Sequence, residues 1–135
     1  MPGIEVACRL DPFPGEQELQ PLWRAAWGSP WSGDLAFILS RSLVHAGAYA
    51  GERLVGFVNV AWDGGVHAFL LDTTVDPEFQ RRGIAAELVR LVTAESRQRG
   101  AHWLHVDYEP HLTDFYTACG FRPTAAGLID LRSGA

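Results

Sequence analysis

Lysine is missing from this 135-residue chain; all 11 basic residues are arginine. Any site that needs a cation must therefore use guanidinium, whose planar fork suits oxyanions such as phosphate and carboxylate. Cysteine is nearly missing too. Cys8 and Cys119 stand far apart, which excludes a disulfide framework and a zinc quartet and fits a reducing compartment. No apolar run is long enough to span a membrane, and no secretory-signal pattern opens the chain. The expectation is a soluble, cytoplasmic protein. Positive charge is also in deficit, 11 basic residues against 16 acidic for a net −5. That disfavours nucleic acid as a general partner.

What is present is enough apolar material for a core: 47% of residues are hydrophobic and 20% charged. The length predicts one domain over residues 1–135. Turn chemistry in "DPFPGEQ" precedes a helix over 16–27, where Leu19, Leu22, Trp23, Ala26 and Trp27 recur at helical spacing. Pro21 is tolerated only if it falls in the first turn. Asp34 is a candidate N-cap for a second helix carrying Leu35, Ile38, Leu39 and Leu43. The period then changes. "VHAGAYAG" (44–51) and "RLVGFVNVAW" (53–62) read as a hairpin, and "VHAFLLDTTV" (66–75) as a third strand ended by Asp76-Pro77. A helical stripe over 82–99 stops at Gly100. "HWLHVDY" (102–108) reads as a strand, "LTDFYTACG" (112–120) as a short helix, and "FRPTAAGLIDLR" as one or two closing strands. The predicted fold class is α+β, in the order α-α-β-β-β-α-β-α-β.

The joint "QRRGIA" (80–85) lies between the third strand and the long helix. A helix start exposes about four unpaired N–H groups and the positive end of the macrodipole, and so receives anions. Gly83 permits close backbone approach. Gln80 adds a neutral donor, and Arg81 and Arg82 add charge. Arginine at that end opposes the dipole unless an anion lies between them. The plain alternative is a solvated basic turn.

The stretch "VDPEFQRRGIAAELV" resembles the acyl-CoA signature of the GNAT N-acetyltransferase superfamily: Val-x-Pro, then Gln/Arg-x-x-Gly-x-Gly/Ala, then an apolar helix. Val75, Pro77, Gln80, Gly83 and Ala85 carry the match. Downstream, "FYTACGF" (115–121) is similar to the family's FYxxxGF segment. The resemblance spans about 44–132, and the two N-terminal helices fit the same topology. It implies the GNAT fold, a central mixed and mostly antiparallel sheet flanked by helices. It also implies acetyl-CoA as co-substrate. Main-chain groups around Thr73, Thr74 and Val75 would pair with the pantetheine arm. The amides of Gln80, Arg81, Arg82, Gly83, Ile84 and Ala85 would hold the pyrophosphate. The acyl group would lie where the strand ending at Val75 splays from the one ending near Tyr108. One departure stands out: the family often has Asn seven residues before the tyrosine, and Glu109 stands there. An ionised Glu cannot donate, so it either holds the cofactor arm by another geometry or serves the amine.

Acyl transfer from a thioester to an amine needs a base, an oxyanion donor and a proton for the thiolate. The resemblance assigns the last role to Tyr116, whose phenol, with a pKa of about 10, stays protonated at neutral pH. Without the motif it would read as a core aromatic. A main-chain N–H near Val75 would be the oxyanion donor. Asp72 is a candidate base on the right strand, or a strand-end carboxylate bonded to a neighbouring loop. Asp107, Glu109, His67, His105 and His111 are rivals for the base. His102 and His105 alternate faces on a strand, which disfavours a metal site. Cys119 reads as a packing residue, Trp27 as packed, and Trp31 as packed or as part of an acceptor pocket. The function these residues imply is an acyl-CoA-dependent N-acyltransferase: acetyl passes to a primary amine by direct attack in a ternary complex. The acceptor is a small molecule or a protein amine. The alternative is a catalytically weak acyl-CoA-binding sensor or partner-binding module. A homodimer, with the C-terminal strand edge as its seam, is compatible with either.

Overall fold

Two long apolar runs separated by Gly51-Glu52 decide the centre of the molecule. In the computed structural model, which describes residues 5–132, they form strands β2 (Ser42–Ala50) and β3 (Arg53–Trp62) of one hairpin. Gly51 makes the turn at φ +62°, a left-handed conformation that glycine adopts without penalty. Both strands are buried along almost their whole length because helices cover both faces, so the runs are continuous rather than alternating.

Around this hairpin the sheet has the order β1-β2-β3-β4-β5. Strand β1 (Val6–Leu10) pairs antiparallel with β2, and β4 (His67–Val75) pairs antiparallel with β3. Strand β5 (Trp103–His105) is the one parallel neighbour, beside β4. Helices α1 (Glu16–Trp27) and α2 (Leu35–Ser40) cover one face. There Leu19, Leu22, Leu35 and Leu39 close over Tyr49, Leu54 and Phe57. Helix α3 (Ile84–Gln98) covers the other face with Ile84, Leu88, Val89 and Val92 against Ala46, Ala48, Val55, Val58 and Val60. Gly56 lets α3 settle close: a Cβ there would stand 3.1 Å from Leu88 and 3.2 Å from Ile84. Helix α4 (Thr113–Ala118) joins the α3 layer through Tyr116 and Phe115. The sheet is mixed and mostly antiparallel, and the class is α+β as expected. Among the described residues no helix is long and apolar enough to cross a membrane.

Four details depart from the sequence reading. The chain's described part begins with a strand, β1, which the expected order α-α-β-β-β-α-β-α-β lacks; its edge position leaves only a weak burial pattern. No closing strand forms among the described residues: 122–132 are exposed and join no sheet, with Leu128, Ile129 and Leu131 each over four-fifths exposed. Strand β5 stops at His105 rather than 108, because β4 diverges from it there. Pro21 lies inside α1, past the first turn, and not within it.

Candidate active site

The β4–β5 ladder holds only three pairs, His67↔Trp103, Ala68↔Leu104 and Phe69↔His105. Beyond Phe69, β4 has no strand partner on that edge among the described residues, so its main-chain groups from Leu70 to Val75 face a gap. A bulge helps to open it. Asn59 pairs with Leu71 and Phe57 with Thr74, which leaves Val58 opposite both Asp72 and Thr73. Asp72 takes the left-handed conformation, φ +60°. Its carboxyl is largely buried and no donor reaches it among the described residues. Desolvation alone therefore raises its pKa above the ordinary carboxylate value. The alternative reading, a carboxylate bonded to a neighbouring loop, is not what the structure shows.

Tyr116 closes the gap from the α3 layer and is 7% exposed. Tyr108 stacks on its ring at 4.8 Å and 26°, while Phe115 and Phe121 meet it edge-on. Burial raises the phenol's pKa, and a hydrogen bond with the Thr73 side chain partly opposes that. The phenol thus keeps its proton at neutral pH. Thr73 touches Tyr116 and adjoins Asp72, so the bulge links the two candidate catalytic groups. Thr74 turns the other way: its hydroxyl donates to the Asp72 carbonyl (2.9 Å) and accepts from the Trp27 indole N–H (3.1 Å). Trp27, expected to pack, is instead 56% exposed. Trp31 packs against the α1–α2 core and edge-on to Trp23.

The joint after β4 is held from several sides. Asp76 is buried, accepts from the Glu78 N–H at 2.9 Å and binds the Arg53 guanidinium at 2.7 Å. Its own N–H donates to the Val55 carbonyl. The Gln80 side chain donates back to the Val75 carbonyl at 3.3 Å. Arg81 (φ +65°) and Gly83 (φ +78°) are both left-handed, which aims the chain into α3. For Gly83 it is this φ that calls for glycine, since a Cβ would meet nothing within 4 Å. Arg82 lies over the Phe79 ring at 4.9 Å. Glu87, in the first turn of α3, is neutralised by a two-point bond to Arg90 at 2.6 and 2.9 Å. Arg81, Arg82 and the free amides therefore dominate that helix end.

The rivals for the base are placed elsewhere or left open. His67 and His105 share a 2.9 Å hydrogen bond on the zipped part of the ladder, so His105 meets His67. His111 is exposed in a 3-10 turn (Pro110–Leu112), and Glu109, which precedes it, is exposed with no side-chain hydrogen bond among the described residues. Asp107 is exposed but close enough to influence the Tyr116 phenol. Cys119 lies beside Tyr116, and burial raises its thiol pKa, as suits a packing residue. Sequence reasoning missed Tyr108, the Arg53–Asp76 pair and the Trp27–Thr74 bond. Only Asp76-Pro77 carried a local signal, as a turn cap; the other partners are distant in the chain.

A five-stranded mixed sheet, splayed between parallel β4 and β5 with a glycine-led helix connecting the two, defines the fold of the GNAT acetyltransferases. The acetyltransferase (GNAT) family model matches residues 11–121, and the chain belongs to that family. An uncharacterized N-acetyltransferase of Pyropia yezoensis is 29% identical over 72 residues, which are 53% of this chain and 41% of that protein. The matched part is thus under half of the relative's length. A GNAT family acetyltransferase of Streptococcus pneumoniae has the same fold (TM-score 0.77, 24% identity, 94% of this chain and 99% of that one). So has an aminoglycoside N-acetyltransferase solved in complex with CoA (TM-score 0.72, 22% identity, 93% of each chain).

Proposed function

We propose that the protein is an N-acetyltransferase that moves acetyl from acetyl-CoA to a primary amine, by direct attack in a ternary complex. The observation that carries this reading is the gap itself. It brings an unpaired strand edge, a desolvated carboxyl at Asp72 and a protonated phenol at Tyr116 to one place, one short turn from a basic helix start. The residues present fit the cofactor. The amides from Gln80 through Ile84 to Ala85, with Arg81 and Arg82, would receive the pyrophosphate. Main-chain groups of Thr73, Thr74 and Val75 would pair with the pantetheine arm, and Glu109 would serve either that arm or the amine. Asp72 would take a proton from the ammonium, directly or through water. A main-chain N–H near Val75 would face the oxyanion. Tyr116 would donate to the departing sulfur. The acceptor is a small-molecule or protein amine. The exposed edge of β5 and the exposed Leu128, Ile129 and Leu131 leave room for a homodimer within this proposal.

Thermal unfolding with and without acetyl-CoA tests the reading. At about 100 times its dissociation constant, the ligand should add roughly 2.7 kcal/mol. Arg82→Glu should abolish the shift. Tyr116→Phe should keep it and lower kcat about tenfold or more. A folded protein with no shift would defeat the proposal. A normal shift with no turnover on any amine would leave the acyl-CoA sensor.

A further inference from the structure

The acceptor's chemical class is written on the sheet face opposite the cofactor, an inference that rests on the proposed function. Tyr116 belongs to the layer beneath α3, and α3 begins at Gly83. A cofactor anchored at that helix start enters the gap from the α3 side. The attacking amine must then arrive from the α1–α2 side, the side left free.

That side of the sheet is only half covered. Helix α1 closes over Phe57, and its last residue, Trp27, bonds to Thr74. Further along β4 the same face continues through Leu71, opposite Asn59, and Phe69, opposite Ala61. The parallel register carries it on to His105 and Trp103 of β5. No element of the described residues covers this stretch: Leu71 is 38%, Phe69 40%, Trp103 55% and Trp27 56% exposed. The rings are nonetheless held. His105 stacks on Phe69 at 4.8 Å and 19°, and His67 bonds to His105 at 2.9 Å.

Along β4, from His67 to Leu71, the stripe presents apolar and aromatic surface and no carboxylate; Asp107, two residues past His105, is the exposed acid at its margin. Asp63, at its far end, is committed to the amides of Gly65 (2.7 Å) and His67 (3.3 Å). A polycationic or sugar amine would find few ionic or hydroxyl partners here. An aromatic ring would find flat partners, and its ammonium would have to reach through the gap to Asp72, which sits at the bulge after Leu71, opposite Val58 of the α3-side core. Stacking and apolar burial reward such a ligand.

We propose that the acceptor is an arylalkylamine, its ring seated on Leu71 and Phe69 beside Trp27 and its amino group directed to Asp72. The face is continuous with the gap, which favours a substrate over an unrelated partner.

The test measures acetyl-CoA-dependent CoA release with 2-phenylethylamine, tryptamine, putrescine, glucosamine and kanamycin, alongside the acetyl-CoA thermal shift. The two aryl amines should give kcat/KM at least about tenfold above the others. Phe69→Ala and Leu71→Ala change exposed side chains and so should fold. Each should lower kcat/KM for tryptamine about tenfold, mainly through KM, and leave the acetyl-CoA shift intact. 2-Phenylethylamine, which carries no indole, should also perturb tryptophan fluorescence in the wild type and less in Phe69→Ala. Preference for a polyamine or sugar amine would overturn the inference while leaving the transferase standing. So would unchanged tryptamine kinetics in both variants, or light scattering showing a dimer that Phe69→Ala dissociates. A missing acetyl-CoA shift would instead defeat the proposed function itself.

Discussion

At the scale of single residues, the left-handed backbone at Asp72 is one that aspartate and asparagine accept better than most side chains, because they can bond locally. What the position does not supply is a partner for the charge. Burial raises the pKa, so between about 3.9, the ordinary aspartate value, and the raised value the folded protein binds more protons than the unfolded chain. Stability therefore falls as pH rises through that window and stays lower at neutrality. A base of this kind also works only when deprotonated. Two outcomes follow for one substitution. Asp72→Asn should raise the melting temperature at pH 7, since the amide keeps the shape and removes the desolvated charge. It should also lower kcat/KM by roughly 10²-fold or more. In the wild type kcat/KM should fall on the acid side at a pH above the ordinary carboxylate range. A pH–rate profile and a melting curve check both. An unchanged rate in Asp72→Asn would move the base to Asp107 or Glu109. The positions of Tyr116 and Gly83 were legible in the sequence because both residues sit in short local patterns. Trp27 was not. Its partner Thr74 is 47 positions away, and only the fold brings the pair together.

At the scale of elements, periodicity placed α1, β3 and β4 almost to the residue, and failed where an element depends on its neighbours. Strand β5 was expected to reach Tyr108, but a strand needs a partner, and β4 bends away at the bulge. Strand β1 was overlooked because an edge strand with one covered face carries little pattern. The segment after Phe121 reads as strand by composition, yet no strand forms there among the described residues. Pro21 shows the same limit within a helix. It sits in the interior of α1, where it cannot donate to the Gln17 carbonyl and its ring presses on it. Amphipathic burial of Leu19 and Leu22 on either side outweighs that cost. Pro21 is exposed, so alanine there leaves no cavity. Pro21→Ala should stabilise the protein by roughly 1–3 kcal/mol, read as a higher denaturation midpoint with an unchanged slope. A loss of stability would mean that the proline itself is needed to bring Trp27 to Thr74.

At the scale of the whole molecule, one buried imidazole ties three elements together. His45, on β2, accepts the Phe13 N–H at Nε2 (2.9 Å), and its Nδ1 lies 3.3 Å from Asp11. Asp11 also accepts from the His45 N–H and binds Arg99 at 2.6 Å. Arg99 in turn donates to the Leu43 carbonyl at 2.7 Å. The end of α3 and the segment leading into α1 are thereby pinned to the central strand. Asp11 and Phe13 are both left-handed, φ +50°, so the pin also holds a strained turn. Accepting from Phe13 requires a bare Nε2, and so a neutral ring. Burial lowers the His45 pKa, Asp11 works against that and Arg99 adds to it. The unfolded chain then binds more protons than the folded one between the lowered value and about 6.5. The stabilisation is complete above that window and is lost as pH falls through it. Melting temperature should drop on going from pH 7.5 to pH 5. His45→Leu should melt lower than wild type at pH 7.5, with the Phe13 N–H left without its acceptor and Asp11 keeping only Arg99 and the backbone N–H, but show a flatter pH dependence. Parallel melting curves of the two proteins across that range decide the matter. Equal slopes would assign the acid sensitivity to other groups and reduce His45 to a packing residue. A slope confined to the wild type would make the pin that aligns both helical layers a proton-sensitive one.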